Sequence, residues 1–286
     1  SHFTTEFVPV YVAPGPVLPA GALKGAFTVS DDGAGNVKKV YFSKGNLYWD
    51  GDSFELETNQ YDVQSSWSTS HVSHFFWSKT ESVAYAESYS DAGAAADDVF
   101  FTNATAETAK SDFTVNGVTG KYRTLSTAEW QYLINERDDA ETKRGICVIE
   151  TASGYFWGYI ILPDNFTFPD IVTNWYPSDG QNTENTYPSS ASNGNYYNAL
   201  KWTNMEANGA VFLPCNGYRE GTNISGYGAS SGGISTSTSY YWTSTTGNSG
   251  NAIARPLGTN VDQKYNMGSA RAAKCGCYVR LVKDVN

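Results

Sequence analysis

At 286 residues the chain is long enough to bury a sizeable core without a metal or a disulfide scaffold. Its net charge of −10, with no basic stripe, argues against a nucleic-acid partner, because phosphate binding draws its affinity from clustered Lys and Arg. Charged residues make up 17% and aromatics 15%, with 20 Tyr and 8 Trp, a balance nearer to secreted or surface β-rich proteins than to cytosolic enzymes; no apolar run approaches the ~18 residues of a spanning helix.

Residues 1–24 hold Pro9, Pro14, Pro16 and Pro19 beside Gly15 and Gly21, a composition that stays extended and avoids sheet interiors. They read as an arm or linker ahead of one domain over 25–286. No charged n-region followed by an apolar h-region is present, so an export signal is expected to lie outside this sequence. Gly25–Ser30, a turn at Asp31–Asn36 and a strand over Val37–Phe42 predict a hairpin. Thr58–Trp77 is aromatic-rich without a sustained period and predicts irregular segments pinned by buried rings. Residues 82–112, rich in Ala, Ser, Asp and Thr, predict a weak helix or an exposed loop.

The clearest helix start is Leu125-Ser-Thr-Ala-Glu-Trp130. Ser126 and Glu129 fit a capping box, Leu125 and Trp130 a hydrophobic staple. The helix should run to Arg137, with Trp130, Leu133 and Ile134 on its buried face. Strands are expected at Gly145–Glu150 and Gly154–Leu162, a second helix from Tyr196 to Ala207 closed by Asn208-Gly209, and a strand at Val211–Pro214. Residues 220–239 and 244–270 are polar, and longer than loops usually are without a function.

Cys147, Cys215, Cys275 and Cys277 lack zinc-site spacing. In an extended 275–281, Cys275, Cys277, Val279 and Leu281 share one face, so core thiols are expected, with a bridge from Cys215 as the alternative. His71 and His74 form H-x-x-H without a following Glu base, and surface or half-buried histidines are the simpler account. Asp31, Asp32 and Asn36 carry oxygen ligands, but an Asp-Gly turn needs no metal. No metal and no cofactor are expected.

Taken in order, Lys39–Leu47, Asn59–Asp62, Phe75–Trp77, Tyr122–Trp130, Met205–Pro214, Gly217–Arg219, Tyr241–Thr245 and Val279-Arg280 resemble the major paralogous, FISUMP-type domains of secreted proteins from Gram-negative anaerobes, which adopt a C-type-lectin-like fold. The resemblance covers about residues 25–283. It implies an α+β domain in which two main helices flank small antiparallel β-sheets, with long polar loops and neighbouring termini. The same fold serves calcium-dependent lectins, formylglycine-generating enzymes and retroelement-diversified variable proteins, so it leaves function open. Departures matter: there is no Glu-Pro-Asn or Gln-Pro-Asp with a downstream Trp-Asn-Asp, which puts calcium-mediated sugar binding in doubt. Cys275-Gly276-Cys277 lies where those oxidases carry cysteines, but with one residue between the thiols.

Trp175, Tyr176, Tyr187, Tyr196, Tyr197, Tyr227, Tyr240 and Tyr265 lie in or beside polar loops, where rings offer apolar area and a polar tip. The expectation is a non-enzymatic, adhesin-like module at the extracellular or outer-membrane surface. It would recognise a glycan or protein ligand on another cell or surface, and a pilus-tip or lipoprotein setting with assembly partners would fit. Asn251, Arg255, Asn260, Tyr265 and Asn266 are the candidate contacts, with Tyr227 and Tyr240 beside them, while Trp242 and Arg280 anchor the strands beneath. The Asn, Ser, Thr, Gly and Tyr of the last loops also fit retroelement diversification. The alternatives are an oxidase using Cys275 or Cys277 and a structural assembly subunit.

Overall fold

The computed structural model describes residues 17–78, 80–90, 114–115, 118–119, 122–177, 188, 190–227, 239–245, 253–257 and 271–286; at 114–115, 118–119 and 253–257 only the backbone is described. It is a mixed α+β protein of small, mostly antiparallel sheets with few helices. The expected hairpin forms as β1 (Phe27–Asp31) and β2 (Val37–Phe42). Its turn is closed by Asp32, whose Oδ1 accepts from the backbone N–H of Ala34 and Asn36 at 2.8 and 3.2 Å. Next come β3 (Leu47–Trp49) paired with β4 (Phe54–Leu56), the short α1 (Glu81–Ala84), and β5 (Thr114–Val115) paired with β6 (Val118–Thr119).

At α2 (Thr127–Gln131) both halves of the capping box are made: Ser126 Oγ accepts from Glu129 N at 3.1 Å, and Glu129 Oε1 from Ser126 N at 3.0 Å. Leu125 and Trp130 enter the same core. The expected continuation to Arg137 differs in kind, because Tyr132–Glu136 winds as a π-helix and Arg137 N donates to Tyr132 O at 2.8 Å. The wider turn still buries Leu133 and Ile134.

The central sheet runs β10-β8-β7-β9, from β7 (Arg144–Thr151), β8 (Gly154–Ile161), β9 (Asn195–Asn198) and β10 (Val211–Pro214). Alternation sends Tyr159, Ile161, Val211 and Leu213 to one face, against α2 and the first hairpin. Cys147, Ile149, Ile160 and Phe212 go to the other, against α3 (Ala199–Ala207). The second helix therefore starts three residues later than its sequence suggests: Tyr196 and Tyr197 lie in β9, which pairs in parallel with β7, and Asn198 caps the helix by accepting from Lys201 N at 2.9 Å.

The last third supplies β11 (Asn216–Glu220), β12 (Asn223–Tyr227), β13 (Ser239–Trp242), β14 (Ile253–Leu257), β15 (Cys275–Gly276) and β16 (Val282–Asp284). β11 is central to β12-β11-β15, β13 pairs with β14, and β16 returns to β2, so the C-terminal strand joins the first hairpin. Ala22 and Leu23, ahead of that hairpin, are already buried.

Gly209, after α3, has φ 99°, and a Cβ there would meet Lys24 O at 2.0 Å. Gly209→Ala should lower stability by about 2 kcal/mol or more and Ser126→Ala by about 1 kcal/mol, both read from urea unfolding midpoints.

Candidate functional site

A buried cation ties the central strand of the last third to two earlier segments. Arg219 of β11 is fully buried. Its Nε and Nη2 donate to His74 O at 3.0 and 2.9 Å, and its Nη1 to Ala86 O and Gly221 O at 3.0 and 2.8 Å. The guanidinium also faces Phe76 at 4.0 Å and Trp67 at 4.5 Å. Burial lowers its pKa to about 9, so it remains charged at neutral pH. Trp242 of β13 completes the anchoring: Nε1 donates to Phe75 O at 2.6 Å, and its backbone N–H to Tyr278 O at 2.9 Å.

Above this anchor Arg271 stacks on two tyrosines, its guanidinium carbon 4.2 Å from the Tyr240 ring centre and 4.9 Å from that of Tyr218. It also donates to Tyr240 Oη. The two rings meet edge to face, 5.9 Å apart. Tyr218 and Arg271 are half-buried, whereas Tyr240 is only 3% exposed. In this Tyr–Arg–Tyr stack the buried Tyr240 is the base and the half-buried Tyr218 and Arg271 supply the accessible part, a ring and a charge suited to a sugar ring or a protein side chain.

Of the expected contacts, Asn251, Asn260, Tyr265 and Asn266 lie outside the described residues, as do Tyr187 and the polar stretch 258–270. Arg255 falls within β14 rather than in a loop, because Ile253–Leu257 pairs with β13. Tyr227 ends β12 half-buried, opposite Asn216. Tyr240 and Tyr197 are core rings rather than exposed ones; Tyr176 is exposed, and Trp175 and Tyr196 are half-buried. Sequence reasoning missed Tyr218 and Arg271. Alternation about the buried Arg219 places Tyr218 on the opposite face of β11, a usable signal, but nothing local distinguishes Arg271.

All four cysteines are buried thiols, and no disulfide joins Cys215 to its neighbours in the fold. Cys277 packs with Val279 and Leu281 as the alternation required. Burial pushes its thiol up, whereas a hydrogen bond from Cys277 and the nearby Arg271 charge lower that of Cys275. The two histidines part company. His71 stays half-exposed and binds Glu57 at 2.6 Å. His74 is fully buried, contrary to the surface or half-buried setting expected, with Nε2 donating to Asn216 O at 2.7 Å. No group of His, Cys, Asp or Glu able to hold a metal forms among the described residues.

With the geometry in place, comparison with known proteins adds no relative: no family model, no curated protein and no solved structure matches the chain.

Burial, reinforced by the Arg219 charge, lowers the His74 pKa from 6.5 to about 3. The unfolded chain takes up this proton near pH 6.5 and the folded chain only near pH 3, so this contribution to stability is present above 6.5 and is lost as pH falls. Hydrogen bonding to Glu57 raises the His71 pKa, so its contribution is present below 6.5 and is lost as pH rises through the raised value. Between pH 7 and 5 the His74 effect should cost about 2 kcal/mol, measurable by urea unfolding. His74→Gln should flatten that loss, and an unchanged slope would refute the assignment.

Proposed function

We propose that the chain is a C-type-lectin-like, FISUMP-type binding module of a secreted or outer-surface protein. In this reading it is non-enzymatic and adhesin-like, and recognises a glycan or protein ligand through the surface of its last third. One observation carries the proposal: the Tyr218–Arg271–Tyr240 platform sits on strands immobilised by buried Arg219 and Trp242, where the polar stretches 228–238 and 258–270 begin and end. Binding sites are commonly built from variable segments on a rigid scaffold. No helix among the described residues is long and apolar enough to cross a membrane.

A thiol oxidase similar to the formylglycine-generating enzymes is the second reading, favoured by the lowered pKa of Cys275 beside Arg271. Against it, Cys275 is 3% exposed and Cys277 fully buried, and a reactive thiol must meet its substrate. Iodoacetamide should therefore leave both unlabelled in the native protein and label both after denaturation; rapid native labelling would favour the oxidase. For the binding reading, a glycan and protein array run with and without EDTA should give EDTA-resistant ligands. Arg271→Ala should weaken their binding about tenfold, the loss expected when a stacked guanidinium is removed. Binding indifferent to Arg271→Ala and Tyr218→Ala would refute the site, and self-association without any ligand would favour an assembly subunit.

A further inference from the structure

Away from this platform, a polar cleft of about 530 Å³ opens between the β1–β2 hairpin, the end of the π turn and the segment after Pro163, a size typical of small-molecule sites. Its floor is an ordered ion pair. Arg137, 3% exposed, donates to Asp164 Oδ1 at 3.1 Å and to Leu162 O at 2.7 Å. Asp164 also accepts from Thr28 N and, at 2.7 Å, from Thr28 Oγ1, with Lys39 at 3.7 Å. Burial opposes the Asp164 charge, but the Thr28 hydrogen bonds and the Arg137 guanidinium hold its carboxyl below the ordinary value. The floor groups thus pair with one another, with only the buried Arg137 Nε left without a hydrogen-bond partner among the described residues.

The walls differ. They carry Asp31, Tyr132, Asp138, Asp139, Lys143 and Asn165. Lys143 Nζ is engaged with Asp138 O at 2.8 Å. Tyr132 leaves its ring half-exposed at the start of the π turn whose far end is Arg137. Across the whole lining the carboxylates of Asp31, Asp138, Asp139 and Asp164 face the cations Lys39, Arg137 and Lys143, which leaves the cleft acidic by one charge beside one aromatic side chain.

That inventory discriminates between ligands. An anion would meet a lining in which four carboxylates outnumber three cations, and no metal-holding group forms among the described residues. A sugar ring presents an apolar face to an aromatic ring and hydroxyls that both donate and accept, and an amino substituent adds the positive charge that surplus carboxylates favour. We propose that this cleft is a second binding site, for a saccharide bearing an amino group, with Tyr132 under the sugar ring and Asp31, Asp138 and Asp139 accepting from its hydroxyl and ammonium groups. The assignment stands apart from the loop-platform reading, since the two share no residue.

Titration calorimetry of the full chain with di- and trisaccharides of glucosamine, galactosamine and mannosamine, against their neutral counterparts, tests it. At least one amino sugar should bind more tightly than its neutral counterpart. Asp138→Asn and Tyr132→Ala should each weaken that binding about tenfold, while Tyr132→Phe, which keeps the ring, and Arg271→Ala, at the other surface, should leave it within about twofold. Unfolding temperatures of the variants separate lost binding from lost fold. No binding across the panel, equal affinity for the neutral sugars, or binding indifferent to Asp138→Asn and Tyr132→Ala would overturn the proposal.

Discussion

The fold depends on a buried cation with no carboxylate in direct contact. Arg280 is 1% exposed and donates to Phe212 O, Ser43 O and Gln60 Oε1 at 3.2, 2.7 and 2.7 Å. Gln60 extends the connection: its Oε1 also accepts from Phe212 N at 2.8 Å, and its Nε2 donates to Ala210 O at 3.1 Å and to Glu206 at 2.9 Å. Four distant stretches, around residues 43, 60, 206–212 and 280, therefore share one hydrogen-bonded node. Burial brings the Arg280 pKa down to about 10, so the charge persists and every carbonyl aimed at it is required. A buried charge contributes little net stability over an apolar residue of the same shape, but one deprived of partners is costly; the node selects one arrangement of these stretches against others.

The same device recurs at Arg219 and, in a different form, at Arg123, whose guanidinium joins Glu129 of α2 to Asp284 of β16 at 2.7 and 2.9 Å. Burial opposes the Arg123 charge and the two carboxylates more than offset it, so its pKa is raised. These arginines and their partners are largely the residues on which the family resemblance rests: Ser43, Gln60, Arg123, Glu129, Phe212, Arg219 and Arg280. A motif scattered along the chain thus becomes a set of cross-links in space. Its members are largely buried cross-links, and in the proposed function recognition falls to the surfaces between them.

Legibility followed the range of the interaction. The capping box, the first hairpin and the β7–β8 pair are determined by neighbours within a few residues, and they form where the sequence places them. Strand β9 is polar and exists because β7 accepts it in parallel about 48 residues away, so local pattern could not separate it from the helix that follows. The π turn, the strand through Arg255 and the burial of His74 are likewise tertiary effects. Of the expected contacts, Tyr240 is brought to the Arg271 platform but as a core ring, and Tyr227 ends β12. The acidic cleft is assembled from the first hairpin, the end of the π turn and the segment near Asn165, a meeting that no local motif announces.

The central claim is that Arg280 and Gln60 act as one unit holding the scaffold together. A double-mutant cycle with Arg280→Met, Gln60→Met and the double variant, read by urea unfolding, tests it most directly. Each single change should cost about 3 kcal/mol or more, and the double variant should recover about 2 kcal/mol of the summed loss, because both single changes break the same Arg280–Gln60 hydrogen bond and the double variant loses it only once. Strictly additive losses, or a tolerated Arg280→Met, would contradict the account.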